Sequence, residues 1–581
     1  MYLRHTTVTK NGKTHTYWRL VRSVRTGRKV RQETVAYLGE LDDQGRLEAR
    51  VLAERLVGLE RQPGLFDDDL PTEPIPLDLR ALRLERGRRF GDVWLAHRLW
   101  QALGFDRLLE ELLPRGREHI TWSTMAAVLV IARLCEPSSE LHIAEDWFRR
   151  TALDDLLGIP ETKIDDNRCY RGLDKLFELK EALERHVKIR LGSMFQLEYD
   201  ILLYDVTSTY FEGEARANPK AQRGHSRDHR RDCKQVCIGL VVTRDGFPLG
   251  FEVFAGNRHD STTMREIVER MESRYGQASR VWALDRGMVS EKHLDWLRER
   301  GSRYIVGTPK SQLAAHERRL LDGQWSLVRD GLQVQIVPAT DGNEVYLLCR
   351  SEDRAAKEQA MRERFAKRIE IALAKMKSGC EKRKCQAGVI ERQIGRLLQR
   401  NQRAARFYDV RVTTNRDGRA QIDWSKRDDL WTAAAVRDGC YLLRSNVTEW
   451  TGEELWQAYM QLTQAEAAFR IKKDQLELRP VWHQIERRVN AHILVCFLAY
   501  VLYKTLEGWC RRAGIGSSVP TVLEEMARIQ STDVVAPTRD GREVRLRCVV
   551  RPDPAQAILL ESLGLELPQR LHLPRGLNRS N

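Results

Sequence analysis

The sequence predicts a multidomain α/β protein with a mixed sheet flanked by helices. Three observations point there. Residues 199–310 interleave apolar, strand-like runs with segments of helical periodicity. Two of those runs, "ILLYDVTSTYFEG" at 201–213 and "RVWALDRGMVS" at 280–290, pass straight from apolar residues into an aspartate. The regions before and after this stretch read as largely helical.

The chain has 581 residues, which at about 100–200 residues per domain suits three to five domains. Lys and Arg number 97 against 82 Asp and Glu, a net charge of +15, and a basic excess of this kind points to a polyanionic partner. The eleven cysteines are scattered without a C-x2-C pair, which argues against a zinc ribbon and suits a reducing cytosol. No secretion signal is visible at the start, and the longest apolar run, "ILVCFLAYVLY" at 493–503, is short for a bilayer span and reads as a buried helix. A cytoplasmic location is expected.

Taken in order, residues 1–60 predict a basic β-hairpin arm and a helix. The hairpin turns at Thr26-Gly27, and its strands carry Arg19, Arg22, Arg25, Arg28, Lys29 and Arg31. It reads either as a charged, self-protecting edge sheet or as an arm for phosphates. Residues 61–80 are rich in Pro and Asp and read as a linker. From about 86 through 195 the apolar spacing is helical, giving a helical module over 81–195. Residues 196–310 are the sheet region. A mixed region follows at 311–440, centred on a basic, helical stretch at 353–405 that is broken at "SGCEKRK" and reads as a helical hairpin. Residues 441–510 predict a strand, a helix over 451–476, a turn at Arg479-Pro480 and a helix over 484–507. The tail, 511–581, holds a strand at "EVRLRCVV" and a helix near "PAQAILLESLG".

Functional groups in α/β sheets gather at the carboxyl ends of strands, so Asp205 and Asp285 are candidates for one site. Each also has a plain reading as a turn or cap residue. Ser290 is placed to cap the helix at 291–299, which frees Asp285 from that task. On the helix over 451–476, Tyr459, Leu462, Glu466, Arg470 and Lys473 fall three or four apart and share a stripe. The plain reading there is an i,i+4 Glu–Arg pair. Three histidines, His225, His259 and His483, read more readily as exposed or core-satisfied groups than as ligands. The charged loop "GHSRDHRRD", with Arg227 and Arg230, reads equally as a solvated loop or as a segment near the polyanionic partner.

Three carboxylates in the order Asp–Asp–Glu resemble the DDE transposases of bacterial insertion sequences. The helix is similar to one branch with the signature Y-x2-R-x3-E-x6-K: Tyr459, Glu466 and Lys473 match, and Leu462 stands in the arginine's place. The stretch at 224–264, the "ALDRGMVS" segment, the "RPVWHQIERRVNAHILVCFLAYVL" segment and the opening that ends "QETVAYLGEL" also resemble that group. The resemblance implies an RNase H-like core over 196–310 and 441–510, interrupted by an insertion domain at 311–440. It implies catalysis and metal binding by Asp205, Asp285 and Glu466, with Mg2+ as cofactor and Mn2+ substituting. Arg286, Arg470, Lys473, Tyr459, Arg227 and Arg230 are then expected at DNA. The expected partners are double-stranded DNA, as terminal repeats and target, and a second copy of the chain. Two other readings stay open: a nuclease without strand transfer, and an inactive DNA-binding descendant.

Overall fold

The structure, a computed structural model, describes residues 2–10, 13–26, 29–39, 76–116, 118–276, 280–383, 385–415, 418–539 and 543–571. It is a mixed α/β protein that divides into two units. One comprises Met1–Glu198, Val206–His259 and Gln464–Asn581, the other Tyr199–Asp205 and Asp260–Thr463.

The second unit is built on strands. Along its sheet lie Ser326–Arg329, Leu332–Pro338, Val345–Ser351, Cys440–Ser445, Arg303–Gly307, Val281–Leu284 and the first half of Ile201–Tyr210. The last three run parallel to one another and the rest pair antiparallel. Parallel neighbours need crossovers, and helices Met264–Tyr275 and Glu291–Glu299 supply them. Their apolar stripes, Ile267, Val268 and Met271 on one and Leu294 and Leu297 on the other, are buried. Ile201, Leu202, Leu203 and Tyr204 are all buried, as the apolar run requires, and the Tyr204 hydroxyl donates to Thr263 Oγ1 at 2.9 Å.

The basic stretch forms the helices Glu352–Lys382 and Ala387–Arg400. Ser351 caps the first, Glu352 and Asp353 occupy its first turn and Lys382 its last, matching the helix dipole at both ends. Ile369 and Leu373 on one helix pack with Ile390 and Ile394 on the other, over Phe407 and Ile422.

The first unit is mainly helical. Its longest helix, Glu486–Arg512, is long and apolar enough to cross a membrane, yet its apolar stretch is wholly buried in the protein. A helix apolar on all sides needs neighbours on all sides. Trp122–Cys135 and Asp166–Phe177 are two of them. The hairpin Gln235–Thr243 and Pro248–Ala255 belongs to this unit and turns at Gly246, whose φ of +80° suits glycine.

Three expectations need correction, and a fourth lies outside the described residues. The N-terminal arm is a three-stranded antiparallel sheet, Tyr2–Lys10, Lys13–Thr26 and Lys29–Gly39, because Tyr2–Lys10 also pairs. The helix expected at 43–60 and most of the linker at 61–80 lie outside the described residues. Arg83–Arg89 is a strand, not the start of a helix. It pairs with Gln530–Pro537, which pairs with Glu543–Val549. Ion pairs hold this sheet: Arg547 grips Asp533 through two bonds of 2.7 and 3.0 Å and also reaches Asp155, as does buried Arg88. Finally, the helix expected over 451–476 is two, Gly452–Met460 and Leu462–Asp474, interrupted at Gln461.

Candidate active site

Strand register brings the two aspartates together. Tyr204 pairs with Leu284 as the last partners of the parallel strands Ile201–Tyr210 and Val281–Leu284, so Asp205 and Asp285 each follow directly. Val306 pairs with Leu284 from the other side, which sets Gly307 at the same level. Asp285 is exposed and Asp205 half-buried. Asp285 stands at the head of the short 3-10 turn Arg286–Met288, but its side chain makes no capping bond. The next helix is capped instead by a box of Ser290 and His293. The turn-starter reading of Asp285 therefore accounts for none of its carboxylate chemistry.

Two further expected residues lie at this level. Arg286 is exposed. A Cβ on Gly307 would collide with the Tyr459 hydroxyl and touch the Arg286 side chain, so the glycine lets Tyr459 lie over the strand end beside Arg286. Tyr459 reaches this place from Gly452–Met460, whose start is fixed by a capping box of Thr451 and Glu454.

Glu466, Arg470 and Lys473 ride the separate helix Leu462–Asp474 in the first unit. Ala465, Ala468, Phe469 and Lys472 form its buried side, which leaves Glu466 and Arg470 exposed on the other, one turn apart. The stripe imagined through Tyr459, Leu462 and Glu466 is broken, because Gln461 separates Tyr459 from the rest.

Lys473 is not displayed like Arg470. Its Nζ donates to Asp228 Oδ1 at 2.8 Å, and Arg479 donates to the same oxygen while also holding Asp474 at 2.7 Å. Both Lys473 and Asp228 side chains are buried, and burial pushes the Lys473 ammonium below the ordinary lysine value while Asp228 offsets part of that. Asp228 went unnoticed in the sequence. The only signal was an acid inside a basic loop, "GHSRDHRRD".

That loop is built as structure. The Arg227 N–H donates to Ser208 Oγ at 3.3 Å, and the Arg230 N–H to Ser226 Oγ at 3.1 Å. The Arg230 guanidinium lies 4.8 Å from the Tyr210 ring centre and pairs with Glu212 at 3.1 Å and Asp232 at 3.0 Å. Among the other expected histidines, His225 is exposed, and His483 sits against Glu140.

Comparison with known proteins identifies the family. The transposase DDE domain family matches residues 196–502, more than half the chain, and the N-terminal domain of IS1634 family transposases matches residues 3–61. A search of curated proteins returns no match. With strand-end aspartates in register and both family matches in their expected order, the chain belongs to the DDE transposases of bacterial insertion sequences.

Proposed function

We propose that this transposase cuts DNA at the ends of its insertion sequence and joins the freed ends to target DNA, on an RNase H-like core made of residues 196–310 and 441–510 and interrupted at 311–440. The observation that carries the reading is the register that sets Asp205 beside Asp285 at the ends of neighbouring parallel strands. In support of the core, an antiparallel hairpin at 235–255 falls in sequence between the first and second of three parallel strands.

Asp205, Asp285 and Glu466 offer only oxygen donors, the set that suits a hard cation, and we assign them Mg2+, with Mn2+ as substitute. The bound ions supply charge stabilisation for the attacking and leaving oxygens of an in-line displacement at phosphorus. Water first attacks the phosphodiester at the element end and releases a 3′-hydroxyl. That hydroxyl then attacks a target phosphodiester and expels a target 3′-oxygen. Exposed Arg286 and Arg470 hold phosphates, and Tyr459 orients the strand beside Arg286. Lys473, Arg227 and Arg230 are assigned to the same DNA face through the loop they brace. Because the core must accept many target sequences, its contacts are to backbone, and end recognition falls to residues 1–195. Two chains pair on two element ends.

The test is a plasmid carrying both element ends, incubated with the purified protein. Cleaved and joined products are expected with magnesium or manganese, binding without cleavage in calcium, and no cleavage in a chelator. Cleavage without joining would make the protein a nuclease, and tight binding with no cleavage in magnesium would make it an inactive descendant.

A further inference from the structure

We propose that Glu140, His483 and His492 form a zinc site that ties the helical N-terminal region to the helix following the Glu466 helix. One donor atom from each of the three lies within 4.8 Å of the others. Glu140 and His492 are 5% and 6% exposed, and the His483 side chain is 9% exposed, so the donors face a nearly dry interior. Two imidazoles and a carboxylate are a donor set that zinc accepts and magnesium does not favour.

The spacing favours shared ligands over a plain ion pair. His483 Nε2 and Glu140 Oε1 are 3.3 Å apart. Two ligands each about 2.0–2.1 Å from a tetrahedral zinc stand about 3.3–3.4 Å from one another. A charge-assisted hydrogen bond in a dry site closes to about 2.7–2.9 Å instead. The buried Arg547–Asp533 pair of this same unit does so at 2.7 Å. The surroundings also hold the rings. The His483 and His492 rings lie 5.5 Å apart, centre to centre. Tyr170 meets His483 edge-on, with ring centres 6.0 Å apart. Buried Cys496, one helical turn beyond His492, has its Sγ 3.9 Å from His492 Nε2.

The three ligands come from distant parts of the chain. Glu140 opens a short helical turn capped by Ser139, His483 lies in the segment after Arg479, and His492 is on Glu486–Arg512. A metal here fixes the segment whose Arg479 holds Asp228. The site is separate in residues and in chemistry from the carboxylate set assigned to magnesium, and the inference does not rest on DNA cleavage.

The test uses full-length wild-type protein purified without a metal-affinity tag or chelator. About one zinc per chain is expected by mass spectrometry, surviving dialysis against magnesium. A zinc-selective chelator should lower Tm by about 5 °C or more, and zinc but not magnesium should restore it. Cobalt exchanged into the site should give the visible bands of a tetrahedral ion. His483→Gln should bind no zinc, whereas Asp285→Asn should keep it. Wild-type protein free of zinc, with Tm indifferent to added zinc, overturns the proposal, and so does zinc retained in full by folded His483→Gln. The wild-type measurements decide the matter even if a variant fails to fold.

Discussion

The strand-end aspartates and the lysines of the Glu466 helix carry ordinary charges, yet the fold uses them in opposite ways. Asp285 stays in water at a strand end and caps nothing with its side chain. Lys473 is taken inside and matched by Asp228, and neighbouring Lys472 is fully buried with no hydrogen-bond partner among the described residues, beside the paired rings of Phe251 and Phe497. A charge left at a strand end keeps its hydration and remains available to a metal or substrate. A charge brought into the interior is desolvated, so its partner determines whether the fold survives. Function is therefore sought at the first kind and stability at the second.

The largest effect should come from Asp205→Asn and Asp285→Asn. Each is expected to cut DNA cleavage by about a thousandfold or more, and the double variant should be no slower than either, because the groups act as a unit. DNA affinity and Tm should barely move. A clear loss of Tm would move these aspartates into the structural class and erase the contrast. Lys473→Ala comes next: removing one cation from buried Asp228 should cost about 2–4 kcal/mol of stability by denaturant unfolding. Adding Asp228→Asn should return part of that loss, and an unaltered unfolding midpoint in the single variant would show that the pair holds nothing.

Lys472→Met should act in the other direction, adding about 1–2 kcal/mol at neutral pH by removing an unmatched buried amine. Burial lowers the Lys472 amine from 10.5 to about 8, so between those values the unfolded chain binds more protons than the folded one. Wild-type stability should then rise with pH across that window, and the advantage of Lys472→Met should shrink there. A constant advantage from pH 7 to 10.5 would mean that burial does not lower the amine in the fold. The smallest effect belongs to Arg470→Ala, which should leave stability within about 0.5 kcal/mol while lowering the salt slope of DNA binding by about one unit. An unchanged slope would place Arg470 away from phosphate.

Local signals carried the first kind of site. An apolar run ending in Asp, with Ser290 able to cap the next helix, is visible within a dozen residues, and both features are present. The N-terminal opening and the motif order were likewise readable and agree with the family matches. Long-range partners were not readable. Asp228 and Lys473 are 245 positions apart, and nothing in either segment names the other. "RLERGRR" looks like a polar stretch until its partner strand at 530–537 is known. The interruption at Gln461 was hidden because "AYMQLTQ" contains no Gly or Pro and keeps helical spacing on both sides.

The strand at 83–89 has a consequence for how the protein is made. It is completed by the tail of the chain; Arg83 and Glu543, bonded to each other, are 460 positions apart. At about 5–20 residues per second, a ribosome spends on the order of half a minute to a minute and a half between the two. For most of that time the early helices lack Glu486–Arg512, the neighbour against which they bury their apolar faces. A chain lacking 530–549 therefore has neither of the strands that complete the sheet begun by Arg83–Arg89.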